Sequence, residues 1–185
     1  MNRIIPQYSQ EQLIRLQEEG LRWTLLHAYA RSPQYRAKFK EAGVDPCAVQ
    51  GLEDLRHLPL TTTEDLRLGY PLPLLSVPET DVVRVHASSG TTGKRKILAY
   101  TQKDVDTFAL QMARCFEMAG LTPRDRVQIA VGYGLWTAGA GFQLGCEQFG
   151  ALTIPVGAGN LEIHLQMLTD LGSTCLCSTA SMALL

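Results

Sequence analysis

At about residue 80 the spacing of apolar residues changes, and that change restricts the fold more than any single residue does. Before it the chain repeats on a helical period. Ser9-x-x-Gln12 has the form of a capping box, and Leu13, Leu16, Leu21, Leu25 and Ala28 follow at helical spacing. Ser32-Pro33 marks a second start, Tyr35 and Phe39 share one face, and Gly43 ends that helix. Thr61-x-x-Glu64 predicts a further short helix near Leu66, which Pro71, Pro73 and Pro78 interrupt. Residues 1–75 therefore read as a helical N-terminal segment. Beyond it, short apolar runs alternate with amphipathic stretches. Val83 and Val85, then Ile97 and Ala99, predict two short strands. Thr101-x-x-Asp104 caps a helix whose apolar face is Val105, Phe108, Met112, Phe116 and Ala119, closed by Gly120. Strands over 127–131, 151–155 and 174–177 enclose helices at about 139–150 and 161–171. That alternation predicts an α/β class, with residues 76–185 forming part of a parallel-sheet subdomain.

Composition narrows the partners. A formal net charge of -1 gives no reason to expect nucleic acid or an anionic membrane. Five cysteines (Cys47, Cys115, Cys146, Cys175, Cys177) contain no CxxC pair, which predicts reduced thiols and no metal. Charge comes early at the N-terminus and no apolar core of a signal peptide follows, so the expected compartment is cytoplasmic. Residues 127–146 carry no charge and are long enough for a membrane span. Five glycines, Gln128 and Gln143 lie in that run, however, and a buried strand, a turn and a close-packed helix account for it better. A further helix begins after Ser178-Thr179, near the last residue. The sheet predicted to that point has an uncovered edge and face, so the expectation is an incomplete subdomain, its uncovered face hidden by dimerisation or by loose packing.

The densest chemistry lies in Ser88-Ser89-Gly90-Thr91-Thr92-Gly93-Lys94, between the first two strands. Small side chains and glycine let backbone N–H groups converge on an anion. Four hydroxyls donate to phosphate oxygens and Lys94 adds a point charge. This is a polyphosphate cradle, with ATP as the expected occupant. A Walker loop needs glycine at the position of Ser88, Ser or Thr at that of Arg95, and a helix after it. A plain polar surface loop is the other reading, and the ordered spacing argues against it. Arg95 and Lys96 add to the phosphate field or are solvated strand ends. His86, just before the loop, reads as a hydrogen-bonded structural histidine or as a group orienting a carboxylate. His27 and His164 fall on predicted helices without metal-ligand partners and read as incidental.

A second constellation is Val131-Gly132-Tyr133-Gly134-Leu135-Trp136-Thr137-Ala138-Gly139, just past a predicted parallel strand, where α/β sheets bind ligands. Its glycines permit close approach, and Tyr133 and Trp136 offer flat walls for an aromatic ring, or else fill the core beneath the next helix.

Both stretches resemble a known family. Ser-Ser-Gly-Thr-Thr-Gly-Lys is similar to the phosphate-loop signature of adenylate-forming acyl- and aryl-CoA synthetases. Val85-His86-Ala87 and the 131–139 stretch resemble the phenylacetate–coenzyme A ligase family, and the similarity runs from Tyr35-x-x-Lys38-Phe39 to Ser181. It covers only the N-terminal part of those enzymes. The resemblance implies that Ser88, Ser89, Gly90, Thr91, Thr92, Gly93 and Lys94 hold ATP phosphates, and that Val131, Tyr133, Gly134, Leu135 and Trp136 seat a small aromatic carboxylic acid. Mg2+ and coenzyme A are implied for the complete enzyme. Val131 and Trp136 stand where the family has tyrosine and phenylalanine, Thr179-Ala180-Ser181-Met182 where it has Thr-Pro-Ser-Tyr, and Thr63 where lysine is frequent. Those departures leave the preferred acid open. The family's catalytic lysine and its ribose, magnesium and adenine contacts have no counterpart before Leu185, so no catalytic residue is expected here and the chain alone is expected to be inactive. The alternative is a non-catalytic module that binds nucleotide weakly or serves in interaction. A phosphate-transferring kinase is a third reading, distinguished by making no AMP.

Overall fold

The computed structural model describes residues 4–90 and 93–184. Contacts divide the chain into two compact units, one of Met1–Pro6, Arg84–Ser89 and Tyr100–Leu185, the other of Gln7–Val83 and Gly90–Ala99.

In the second unit, α1 (Gln10–Arg31) starts at the Ser9 capping box and α2 (Pro33–Glu41) at Ser32, whose side chain accepts from the Tyr35 N–H. Both caps are local in sequence, and both stand as expected. The helices close on a small core of Leu25, Phe39 and Val49, flanked by Leu21, Tyr29 and Tyr35. Two 3-10 turns, Pro46–Ala48 and Leu52–His57, follow. The short helix predicted near Leu66 is absent: residues 63–70 form consecutive turns. The capping pair is one residue on, with Asp65 accepting from the N–H and hydroxyl of Thr62 while the Asp65 N–H donates to the Thr62 hydroxyl. Pro71 and Pro73 leave no room for the apolar stripe that would fix a helix there.

Asp65 also pairs with the Lys38 ammonium. That hydrogen bond, reinforced by Thr62, lowers the Asp65 carboxyl from 3.8 to about 2. A depressed carboxyl contributes stability above its unfolded value and loses it as pH falls through the folded one. Asp65→Asn is therefore expected to flatten the loss of stability between pH 3.8 and about 2. Acid titration followed by far-ultraviolet circular dichroism checks this, and a mutant profile parallel to wild type in that window would contradict it.

In the first unit, α3 (Gln102–Met118) begins at the Thr101 capping box with Asp104. Three parallel strands follow, β3 (Arg126–Ile129), β4 (Leu152–Ile154) and β5 (Cys175–Cys177), in the order β4-β3-β5. Helix α4 (Thr137–Phe149) connects β3 to β4, and α5 (Leu161–Asp170) connects β4 to β5. A short α6 (Ala180–Ala183) follows β5, capped by Thr179. Central β3 registers Val127 against Thr153 on one side and Cys175 on the other. Its buried run explains why Val127 and Ile129 are wholly inaccessible. Ala113 and Phe116 of α3, Cys146 and Phe149 of α4, Val127 and Ala151 make the core. Burial raises the Cys146 and Cys175 thiols and pushes Cys177 up to about 12, so all three remain protonated packing groups. At the front of the chain, the N–H groups of Ile4 and Ile5 donate to the Glu117 carboxylate.

His164 is not incidental. It is 2% exposed; its Nε2 donates to the Gly157 carbonyl and its Nδ1 accepts from the Gln128 amide. Gln128, wholly buried, also donates to the His164 carbonyl and accepts from the Ser173 hydroxyl. Every member of this network has a partner, which is the condition under which buried polar groups rigidify a core. It fixes the loop after β4 to the centre of the sheet.

The two remaining strands, β1 (Val82–Ala87) and β2 (Ile97–Thr101), form a two-stranded sheet. They flank the hydroxyl-rich loop as expected. On β1 Val83 and Val85 are exposed while His86 is buried, against the face the valines suggest; on β2 Ile97 and Ala99 are partly buried and Leu98 is exposed. Among the described residues no helix is long and apolar enough to cross a membrane.

Candidate functional site

The predicted phosphate loop leaves β1 at Ser88 and enters β2 after Lys96. Thr91 and Thr92 lie outside the described residues. Gly90 and Gly93 both have positive φ, at 74° and 131°, which L side chains rarely adopt. A Cβ at Gly90 would fall 2.8 Å from Arg95 Cγ and 3.2 Å from the Gly93 carbonyl oxygen. The Gly93 N–H donates to the Gly90 carbonyl at 3.2 Å, closing a tight bend. Lys94 is exposed, and its Nζ stands 5.0 Å over the Tyr70 ring. The guanidinium of Arg67 lies beside Gly93, 3.7 Å from where a Cβ would be. Sequence reasoning found the loop and missed both neighbours, because Arg67 and Tyr70 belong to a turn segment with no periodicity of its own.

The second constellation is built at the C-terminal end of β3. Val131 is 4% exposed and belongs to the core, so it offers no open wall here. Tyr133, Leu135 and Trp136 are exposed, and Gly134 has φ 109°. Tyr133 packs between two glycines: a Cβ at Gly139 would meet its ring at 3.1 Å and one at Gly157 at 3.7 Å. Partial burial, with Glu147 adding to it, raises the Tyr133 hydroxyl above its ordinary value, so it stays a neutral donor. Gly139 also lets the start of α4 sit on this turn, since a Cβ there would be 2.6 Å from the Gly132 carbonyl oxygen.

One carbonyl ties this turn to the strand that feeds the phosphate loop. Leu135 O accepts from the Ala87 N–H at 2.8 Å and from His86 Nδ1 at 3.2 Å. A carbonyl only accepts, so Nδ1 carries the ring proton. The His86 ring is 3% exposed and meets Tyr100 edge to face at 5.2 Å. Its buried Nε2 has no hydrogen-bond partner among the described residues. The reading of His86 as structural is thus the one its geometry favours. Its partner in that role, Leu135, was chosen from sequence as an acyl-site residue. The strand end at Ala87 is followed directly by Ser88, so the aromatic turn and the first phosphate-loop hydroxyls share one rigid frame.

Among the described residues no group of three His, Cys, Asp or Glu side chains could hold a metal ion. The loop is instead made of small donors and cations, a surface for anionic oxygen.

Comparison with known proteins agrees with that chemistry. The chain is 47% identical over 162 residues to a phenylacetate-coenzyme A ligase of Escherichia coli (strain K12), covering 88% of this chain and 37% of that protein. It is 43% identical over 173 residues to a phenylacetate-coenzyme A ligase of Thermus thermophilus, covering 94% and 39%. Among solved structures, an open conformation of 2-hydroxyisobutyryl-CoA ligase in complex with 2-HIB-AMP and CoA superposes with a TM-score of 0.86 at 26% identity, covering 95% of this chain and 42% of that one. The same ligase in its thioesterification state gives 0.83 at 27% identity, covering 91% and 37%. No protein-family model matches the chain. The chain spans less than two-fifths of the length of these curated relatives.

Proposed function

We propose a ligase role from the premise that this chain is a homologue of the phenylacetate–coenzyme A ligases, adenylate-forming enzymes of which it matches little more than a third. In that role it is the portion of an arylacetate–CoA ligase that grips the polyphosphate of ATP and seats the acid. The supporting observation is the Leu135 carbonyl, which accepts from His86 and Ala87 and so holds the aromatic turn against the strand entering the phosphate loop.

The reaction has two displacements. A carboxylate oxygen attacks the α-phosphorus of ATP, the bond to the bridging oxygen of the β-phosphate breaks, and pyrophosphate leaves. The coenzyme A sulfur then attacks the acyl carbon, and AMP departs as the thioester forms. The enzyme must hold two anions together and meet charge moving onto the β- and γ-phosphates. Gly90 and Gly93 shape the loop for close approach, Ser88 and Ser89 supply hydroxyls, and Lys94 supplies the charge. Tyr133, Leu135 and Trp136 offer an open apolar surface to the acid, and the volume left at Val131 is set by a core position. Magnesium enters with ATP as part of the substrate, and no residue set described here fits a resident ion.

A chimera in which this chain replaces the matching stretch of the E. coli relative tests the reading. With ATP, coenzyme A and a panel of aryl acids, it is expected to release pyrophosphate and form AMP only when an acid is present. This chain alone is expected to do neither. A folded chimera that forms no AMP with any acid would favour the non-catalytic alternative.

A further inference from the structure

The cations around the phosphate loop come from two stretches of sequence, and only one of them is the signature. Lys94 and Arg95 belong to the loop itself. Arg67 and Tyr70 come from the turn segment before β1, and both lie beside the loop: the Tyr70 ring under the Lys94 ammonium, the Arg67 guanidinium 3.7 Å from where a Gly93 Cβ would stand. We propose that Arg67 and Tyr70 complete the polyphosphate site, with the Tyr70 ring as the resting seat of the Lys94 ammonium and Arg67 as a second phosphate-binding cation. This deepens the reading above and rests on it.

Tyr70 is 43% exposed, and an exposed cation–π contact is weaker than a charge-assisted hydrogen bond to phosphate. An arriving phosphate therefore takes the ammonium from the ring. Until then the ring confines a side chain that would otherwise sample many rotamers, so Lys94 waits within reach of the loop. Tyr70 is thus a positioning residue, acting through Lys94.

Arg67 has a different task. Its planar fork recognises phosphate oxygens in pairs, as an ammonium cannot. The guanidinium lies close enough to Gly93, at φ 131°, that a Cβ there would be in ordinary contact with it, at 3.7 Å. Glu64 holds the far side of the fork at 3.6 Å, with the pair 35% and 67% exposed. Such an exposed pair is weak on its own. Two cations beside one bend fit a diphosphate better than a single phosphate.

The test uses the whole chain, isotopically labelled, with inorganic pyrophosphate as the probe. Without pyrophosphate, the Lys94 ε-methylene protons are expected to show an upfield ring-current shift in wild type and in Tyr70→Phe, and to lose it in Tyr70→Leu. Titration is expected to move the Gly90, Gly93 and Lys94 amides and to return the Lys94 side chain to its ordinary position. Arg67→Ala is expected to weaken pyrophosphate about tenfold, the loss of hydrogen bonds to a charged group. Arg67→Lys keeps the charge, loses the fork, and should fall between. No ring shift in wild type, or wild-type pyrophosphate affinity in both Arg67 variants, would overturn the inference while leaving the loop as an anion site. Loop amides that ignore pyrophosphate in wild type would remove the underlying reading instead, and the inference with it.

Discussion

Gly145→Ala is expected to destabilise the protein by about 3 kcal/mol, although alanine is the better helix former by about 1 kcal/mol. Gly145 is where α4 crosses α3 most closely. An added methyl would stand 2.3 Å from Met112 Cβ, 3.0 Å from the Met112 carbonyl carbon and 3.1 Å from the Ala113 nitrogen. Two of those atoms are backbone, so no rotamer change relieves the clash and the helices must separate. Ala113, Phe116, Cys146 and Phe149 pack at that interface and onto β3, so separation loosens the core that supports the turn after β3. Two other glycines calibrate the effect. At Gly141 a methyl would meet only the tip of the Phe108 side chain, its Cζ 2.6 Å away, and a side-chain end can shift about χ1 where backbone cannot. Gly141→Ala should cost less than Gly145→Ala. In α1, Gly20 has nothing within 4 Å of an added Cβ, and Gly20→Ala should stabilise by about 0.5–1 kcal/mol. Urea unfolding of the three variants checks the order, and a Gly145→Ala protein as stable as wild type would contradict the close crossing.

That crossing also shows what the sequence disclosed and what it withheld. The α3 stripe of Val105, Phe108, Met112 and Phe116 was legible because an amphipathic helix states its period locally. So were the capping boxes at Ser9 and Thr101, where partners are three residues apart. The charge-free glycine run was legible as a buried strand, a turn and a packed helix, but not which glycine meets Met112. That depends on crossing geometry. At β1 the pattern announced a strand and gave the wrong inner face, since a period of two cannot choose between Val85 and His86 without a partner surface. His164 looked incidental because one partner, Gln128, comes from β3, far back in the chain, and the other is a backbone carbonyl, that of Gly157, which no spacing of side chains marks. The hydroxyl-rich loop was the easiest to find, its residues being contiguous between two strands. Arg67 and Tyr70 reach it only through folding of the turn segment, and no local spacing marks them.

In the chimeric ligase, Lys94→Ala is expected to slow acid-dependent pyrophosphate release by about 10²–10³-fold, the cost of removing one group aimed at developing charge. Gly90→Val should be comparable for a different reason. Valine resists φ 74°, and its Cβ would press on Arg95 and on the Gly93 carbonyl that closes the bend. The loop would open and its N–H groups would lose their aim. Gly90→Ala keeps both the conformational penalty and the added Cβ and omits only the branching, so it should slow release in the same direction but less. The timing of the chemistry supplies the sharper control. Pyrophosphate has gone before the thioester forms, so neither variant should slow thioester formation when preformed acyl-adenylate and coenzyme A are supplied. A variant that lost both half-reactions equally would be a folding defect, and one that kept acid-dependent pyrophosphate release would mean that the loop holds no part of the triphosphate. Only the first half-reaction failing, with the second intact, places Gly90 and Lys94 on the departing phosphates.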